Sequence, residues 1–289
     1  MIKWNDLVSS IKNQPTWNAL IQALHTTYGV PRRALIQLIT RLSPHYCQGS
    51  PPTFNERKRL LKAISWLQQG HPIDYLLGEI VFYNRSFYIQ RGVLLPRVET
   101  EWLVDLACQF IRQYPIDTVI ELGAGSGVIG LSLALENPHI QVAAWDISQR
   151  AIALTKQNHT RHPCSNFQCL LGSFFHPQTG YGQVCTPNTL IVSNPPYIPT
   201  HDLPHLSDSV QQLDPKQALD GKQDGLFFYK KLMAIANRHQ LPLLCEIGFN
   251  QGDAIRHLAT SIPFMLDIKP DLAGHDRFAI LIPKNSNLT

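Results

Sequence analysis

Apolar residues change their spacing twice along this 289-residue chain, and each change marks a different kind of structure. Behind Pro31, which suits the first turn of a helix, Leu35, Ile36, Leu38, Ile39 and Leu42 supply one broad apolar face. Thr53 and Glu56 stand at capping-box spacing ahead of Leu60, Leu61, Ile64 and Leu67, and Gly70-His71-Pro72 closes that segment. Residues 1–70 are therefore expected to form a small helical bundle, with a docking or recognition role because they carry no glycine-rich loop and no catalytic cluster. The basic run Arg57-Lys58-Arg59 with Lys62 is read as the solvated flank of a helix.

From Glu79 to Gln90 the period becomes two. Ile80 and Phe82, then Phe87 and Ile89, flank Tyr83-Asn84-Arg85-Ser86 and predict a hairpin, placed in a linker over 71–92. The remainder, 93–289, opens with Val93 to Glu101 and a helix whose apolar side holds Trp102, Leu103, Leu106, Ala107, Phe110 and Ile111. Strands are predicted at Thr118 to Leu122, Gln141 to Trp145, Phe167 to Leu171, Leu190 to Ser193, Leu243 to Ile247, Met265 to Lys269 and Phe278 to Ile282, with helices between most of them. The last two are joined by Asp271 to Asp276, too short for a crossover helix, so they must pair antiparallel. The expected fold class is α/β: a seven-stranded, mostly parallel, Rossmann-like sheet ending in an antiparallel hairpin, plus the N-terminal bundle.

Composition narrows the setting. With 44% hydrophobic and 16% charged residues the chain is globular, and a net charge of +4 permits an acidic partner without demanding one. Cys47, Cys108, Cys164, Cys169, Cys185 and Cys245 contain no C-x-x-C pair, so neither a zinc site nor a disulfide framework is indicated. Trp4, Asn5 and Asp6 stand where a signal peptide needs an apolar core, and no window is long and apolar enough for a membrane span. The expectation is a cytoplasmic protein with reduced thiols.

Chemistry concentrates after the strand Leu190-Ile191-Val192. There Ser193-Asn194-Pro195-Pro196-Tyr197 stops the ladder at once, because proline fixes its own φ and cannot donate. The stiff loop offers the Asn194 amide oxygen and the Pro195 carbonyl, two acceptors suited to an NH2 group, beside the aromatic face of Tyr197. A proline-rich strand exit would account for Asn194-Pro195-Pro196-Tyr197 taken alone. Asn-Pro-Pro-Tyr after a strand also resembles the signature of methyltransferases that alkylate planar NH2 groups, on nucleobases or on the glutamine side chain.

A second motif, Glu121-Leu122-Gly123-Ala124-Gly125-Ser126-Gly127, follows the first strand of the α/β domain and opens a helix near Val128. Its glycines let the backbone turn sharply against a ligand. Val128 occupies the place where a dinucleotide fingerprint needs glycine, and no Lys-Ser/Thr follows to make a P-loop. The loop resembles that of S-adenosylmethionine-dependent enzymes, whose ligand needs no phosphate cradle. Asp146, ending the next strand, can accept hydrogen bonds from both ribose hydroxyls of an adenosine, while Ser148 is free to cap the helix behind it. Phe174 and Phe175 are placed to cover an adenine ring, and ordinary core packing would account for them equally.

These pieces together resemble the release-factor glutamine methyltransferases, the HemK or PrmC family. The resemblance runs from about Pro72 to Phe278 and rests on an ordered set of motifs. They are Pro72-Ile73-Asp74-Tyr75-Leu76-Leu77-Gly78, Leu95-Pro96-Arg97-Val98-Glu99-Thr100-Glu101, the glycine loop, the Asn194 loop, Ala218-Leu219-Asp220-Gly221 with Asp224-Gly225-Leu226, Glu246-Ile247-Gly248, and Asp271-Leu272-Ala273-Gly274-His275-Asp276-Arg277. Val98 departs from the usual proline, Asn84 from glycine, and Ser173-Phe174 from an acidic residue followed by tryptophan or leucine.

The resemblance implies the class I S-adenosylmethionine-dependent fold and methyl transfer from S-adenosyl-L-methionine, with S-adenosyl-L-homocysteine as product. The acceptor it implies is the Gly-Gly-Gln glutamine amide of class I peptide chain release factors. It places cofactor binding at Glu121, Gly123, Ala124, Gly125, Ser126, Gly127, Asp146, Phe174 and Asn194, catalysis at Asn194, Pro195 and Tyr197, and substrate binding at Asn194, Pro195, Pro196 and Tyr197. A monomer needing no nucleic acid is expected.

Three other readings are open to the residues themselves. A methyltransferase for nucleobase amines would use the same loop, but usually with an added basic recognition domain, and the helical region here is only weakly basic. A protein that merely keeps S-adenosylmethionine would be expected to have lost Asn-Pro-Pro-Tyr. His201 and His205 flank Asp202 at metal-ligand spacing, but Pro204 argues against a helix there, and no metal is expected.

Overall fold

The computed structural model describes residues 15–43, 46, 49–173, 175 and 185–284. The chain divides into two compact units, residues 1–78 and 79–289.

The first unit contains α1 (Trp17–Tyr28), α2 (Arg32–Leu42), α3 (Phe54–Gln68) and the short α4 (Ile73–Leu77). The Thr16 hydroxyl accepts from the Ala19 N–H, and the Thr53–Glu56 capping box is complete in both directions, so two helix starts are satisfied by their own side chains. Leu20, Leu24, Leu35, Ile39, Leu60 and Ile64 form the core. Ile36, expected on the apolar face of α2, is instead exposed, because the buried stripe runs through Leu35, Leu38 and Ile39.

The second unit opens with the hairpin β1 (Glu79–Phe82) and β2 (Arg85–Tyr88). Its two-residue turn, Tyr83-Asn84, has φ of 48° and 59°, the conformation that matches strand twist in a tight hairpin. Asn158 fastens it from the side: its Oδ1 accepts from the Tyr88 N–H at 2.7 Å, and its Nδ2 donates to the carbonyls of Tyr88 (2.9 Å) and Ser126 (2.8 Å). The stretch expected as a linker thus holds a helix of the first unit and the hairpin of the second.

After α5 (Thr100–Gln113) come β3 (Thr118–Leu122), α6 (Val128–Glu136), β4 (Gln141–Asp146), α7 (Gln149–Arg161), β5 (Phe167–Leu171) and β6 (Thr189–Ser193). A 3-10 turn (Thr200–His205), containing Pro204, leads to α8 (Asp208–Leu213), α9 (Lys216–Leu219), α10 (Phe227–His239), β7 (Leu243–Glu246), α11 (Gly252–Ala259), β8 (Phe264–Pro270) and β9 (Asp276–Pro283). On α5 the buried residues include Leu103, Val104, Ala107, Cys108 and Ile111, while Trp102 is 37% exposed rather than packed inward.

The sheet order is β5-β4-β3-β6-β7-β9-β8, parallel except for β9, which runs against both its neighbours. The expected seven strands and terminal hairpin are all present. Both sheet faces are buried, as a parallel sheet requires: Val119, Val142 and Leu190 pack with α5 and α6 on one side, and Ile120, Ile191 and Leu243 pack with α10 and α11 on the other. Strand order reverses between β3 and β6, so the connections leaving their carboxyl ends run to opposite faces of the sheet and open a crevice, the usual place for a ligand in such sheets.

Candidate active site

Strand register brings the functional residues into one row. Leu122 of β3 pairs with Trp145 of β4 and with Ser193 of β6, and Ser193 pairs with Cys245 of β7. The next residue on each strand is therefore, in spatial order, Asp146, Gly123, Asn194 and Glu246. Each sits where its strand ends: at a bend toward α7, at the glycine loop, at the proline pair, and at the Ile247-Gly248 turn.

A cavity of about 380 Å³ lies along this row, within the range of small-molecule sites. Its walls include Gly123, Gly125, Asp146, Asn194, Pro195 and Pro196, so the structure brings the glycine loop, the strand-end acid and the proline loop to one site. Gly123 and Gly125 have φ of 85° and 58°, a path that side-chain-bearing residues rarely take. The Gly125 N–H donates to Asp146 Oδ2 at 2.8 Å, and Asp146 Oδ1 accepts from the Ser148 N–H at 2.8 Å. Burial pushes the Asp146 pKa up against these backbone donors. The Ser148 hydroxyl caps α7 by accepting from the Ala151 N–H, which leaves Asp146 to tie the two loops together at the cavity wall.

Other predicted residues stand elsewhere. Glu121 is fully buried with its Oε2 accepting from the Gly130 N–H at 3.0 Å, so its side chain braces β3 against α6 rather than lining the cavity. The alternation of strand side chains explains this: Leu122 faces the cavity, so Glu121 faces the opposite side. Desolvation raises its pKa well above the usual carboxylate range. Ala124, Ser126 and Gly127 complete the turn into α6 behind the cavity wall. Phe174 lies outside the described residues, but Phe175 lines the cavity and packs near Phe228, ring centroids 6.1 Å apart.

Several wall residues were not singled out from sequence: Gly92, Val93 and Leu94, then Ile147, Gln217 and Lys222. The strap from Gly92 to Leu94 is held at one end by Arg150, which donates to the Arg91 carbonyl. At the other, Asp214 accepts from the Leu95 N–H and from Arg97.

Around Asn194 the contacts are more specific. Its Nδ2 donates to Glu246 Oε2 at 3.0 Å and to Thr100 Oγ1 at 3.3 Å, and the Thr100 hydroxyl itself donates to the same Glu246 oxygen at 2.8 Å. Tyr197 places its hydroxyl 3.5 Å from Glu246 Oε1, outside the cavity wall. Burial, then the Glu246 charge, pushes the Tyr197 phenol up to about 12.

The loop rests on a second segment. The Ile198 N–H donates to the Leu219 carbonyl, the Gly221 N–H returns to the Ile198 carbonyl, and Gln251 Nε2 donates to the Tyr197 carbonyl at 3.0 Å. The Ala218-to-Leu226 motif is thus the brace beneath Asn-Pro-Pro-Tyr. In the Asp271-to-Arg277 motif Asp271 accepts from the Ala273 and His275 N–H groups and from Arg277 Nε, while the Arg277 carbonyl accepts from the Ile247 N–H, next to Glu246. No group of metal-ligating side chains occurs among the described residues, and His201 pairs only loosely with Asp202, at 3.5 Å.

Comparison with known proteins decides the family. Curated relatives named release factor glutamine methyltransferase share 31% identity over 239 residues in Thermodesulfovibrio yellowstonii (80% of this chain, 84% of the relative), 35% in Bacillus cereus (78% and 81%) and 37% in Vibrio cholerae (73% and 73%). The chain belongs to the release factor glutamine methyltransferase family. Residues 104–212 also match the model of the methyltransferase small domain. Among solved structures, the hMettl16 catalytic domain in complex with the MAT2A 3′UTR hairpin 6 aligns with a TM-score of 0.56 at 12% identity, over 88% of this chain and 94% of that one. This second likeness speaks for the fold. Family membership favours the glutamine-directed reading of the Asn194 loop over the nucleobase one. No helix among the described residues is long and apolar enough to cross a membrane.

Proposed function

We infer that this protein transfers a methyl group from S-adenosylmethionine to the side-chain amide nitrogen of the Gly-Gly-Gln glutamine in class I peptide chain release factors, and so tunes translation termination. The observation that carries this reading is the Asn194 amide. Its NH2 group is committed to Glu246 and Thr100, so its oxygen is the edge left for the cavity it lines.

The residues fit the cofactor. The Asp146 carboxylate offers acceptors for ribose hydroxyls, Ile147, Phe175 and Phe228 offer apolar faces for a purine, and Gly123 and Gly125 keep the backbone open to a close ligand. When bound, S-adenosylmethionine supplies an electrophilic methyl on a sulfonium sulfur. Everything else asked of the site is orientation. An amide nitrogen is a poor nucleophile, its lone pair being delocalised, and among the described residues no His or Glu base lines the cavity beside Asn194.

Asn194 Oδ1 and the Pro195 carbonyl each accept one N–H of the glutamine amide, Pro196 stiffens the turn, and Tyr197 packs against the amide plane. Once the N–C bond has formed, the amide nitrogen gives up its extra proton to water. Alignment of this kind can supply about 7–11 kcal/mol of a barrier. The helical unit, which has an apolar core of its own, serves as a docking module for the release factor. The protein works as a monomer in the cytoplasm.

The test is mass spectrometry of an unmethylated release factor incubated with this protein and S-adenosylmethionine, beside a version whose Gly-Gly-Gln glutamine is replaced. One added methyl on the glutamine peptide, absent from the replaced version, is expected. Transfer to neither protein, with cofactor binding intact, overturns the reading.

A further inference from the structure

Glu246 is a buried acid that touches neither reacting group in the transfer above, and it lies at the end of β7 beside the residue that does the work. Its Oε2 receives two donors, Asn194 Nδ2 and the Thr100 hydroxyl, and its Oε1 faces the Tyr197 hydroxyl. We propose that Glu246 is a positioning residue which, with Thr100 as its partner, fixes the Asn194 amide so that the oxygen and not the NH2 faces the acceptor nitrogen. This rests on the glutamine-methylation reading and deepens it.

An amide can rotate by half a turn with little change in shape, so packing alone cannot choose which edge of Asn194 meets the cavity. A carboxylate can choose, because it only accepts hydrogen bonds. Turning the Asn194 oxygen toward ionised Glu246 would set two acceptors against each other in a buried site, and would aim an NH2 at the NH2 of the acceptor. Thr100 reinforces the choice: its hydroxyl hydrogen is committed to Glu246, so its oxygen is left to accept from Asn194. The bond from β7 to β6 links neighbouring strands in register, and Thr100 sits in the first turn of α5, so three elements hold the amide.

Protonation reverses the logic, since a carboxylic acid can donate to the Asn194 oxygen and release the orientation. Burial raises the Glu246 pKa to about 7, with nearby Glu99 adding to it and Thr100, Arg277 and Tyr197 opposing it. The other groups facing the cluster are Cys245, the adjacent buried thiol, and the Tyr229 hydroxyl, which donates to the Glu246 carbonyl; the Arg97 charge acts on the Tyr197 phenol. Turnover should therefore rise with pH through an acidic limb near neutrality.

The experiment compares wild type, Glu246→Gln, Thr100→Val and Thr100→Ser, measuring kcat, KM for the release factor and cofactor affinity across pH. Glu246→Gln, which no longer dictates one orientation, should lower kcat by about 100-fold at alkaline pH, lose the acidic limb, and leave cofactor affinity within a few-fold of wild type. Thr100→Val should move the limb to higher pH, and Thr100→Ser should restore it. A Glu246→Gln variant with wild-type kcat, or one that keeps the limb, overturns the proposal. So does a loss of cofactor affinity equal to the loss of kcat, which would mean a purely structural role.

The ionisation is also read without turnover, by carboxyl-carbon NMR of labelled protein with Glu246→Gln supplying the assignment. Absence of any titration between roughly pH 5.5 and 8.5 overturns the proposal whatever the acceptor. Wild type that methylates no release factor at any pH condemns the parent reading, whereas an active wild type matched by an equally active Glu246→Gln condemns this inference alone.

Discussion

Asn194 Nδ2 and Glu246 Oε2 are 3.0 Å apart across adjacent parallel strands, each being the first residue beyond a register pair, Ser193 with Cys245. Because that bond occupies the nitrogen edge of the amide, replacing Asn194 with alanine removes an acceptor from the cavity and leaves the apolar walls in place. The expected result is a fall in kcat of about 100-fold or more, with cofactor affinity little changed. Single-turnover kinetics at saturating cofactor checks it. Unaltered turnover would remove Asn194 from the chemistry.

Asp146 predicts the opposite pattern. Its oxygens hold the Gly125 and Ser148 N–H groups and face the cavity, so Asp146→Ala should weaken cofactor binding by roughly 10–100-fold, as for the loss of one or two charge-assisted hydrogen bonds. At saturating cofactor, turnover should recover most of its wild-type value. Calorimetric titration with S-adenosylhomocysteine measures the first quantity, and equal affinities for variant and wild type would refute the ribose assignment.

The brace under the proline loop gives a third test. A Cβ at Gly221 would stand 2.8 Å from the Tyr197 Cα and carbonyl carbon, backbone atoms that can yield only by moving the loop. Gly221→Ala should therefore lower kcat by about 10–100-fold, the effect of a misplacement approaching 1 Å, with cofactor affinity retained. A variant with full activity would show that the loop tolerates displacement.

Stability should run against activity in its pH dependence. Burial lifts the Glu246 pKa from 4.5 to about 7, so between those values the native state holds a proton that the unfolded chain releases. This contribution is fully present below about pH 4.5 and is lost as pH rises through 7. Glu246→Gln cannot lose it, and above neutrality should be more stable than wild type by on the order of 3 kcal/mol, with the gap closing in acid. Denaturant unfolding across pH checks this, and a gap independent of pH would count against an elevated Glu246 pKa.

What was legible in the sequence was what local chemistry dictates. The strands, the capping box, the glycine loop, Asp146 and the proline pair each follow from spacing within a few residues. Glu246 and Thr100 were visible as motif members but carried no role, since their meeting with Asn194 depends on which strand lies beside β6 and where α5 begins. Glu121 shows how placement can escape a motif: its position before the glycines suggests the cavity, whereas the two-residue alternation that makes Leu122 a wall residue turns the Glu121 side chain to the other face. The strap at Gly92 to Leu94 was illegible for a different reason, being held by Arg150 and Asp214 from distant parts of the chain.

A row laid across strands is also a ruler. Neighbouring strands stand about 4.8 Å apart, so Asp146 and Asn194, two strands distant, mark off about 10 Å along the sheet edge, and Glu246 lies one step beyond. The span is set by backbone hydrogen bonding and not by any side chain. A ligand gripped at Asp146 is thereby measured, and its reactive end meets Asn194 only if the length is right.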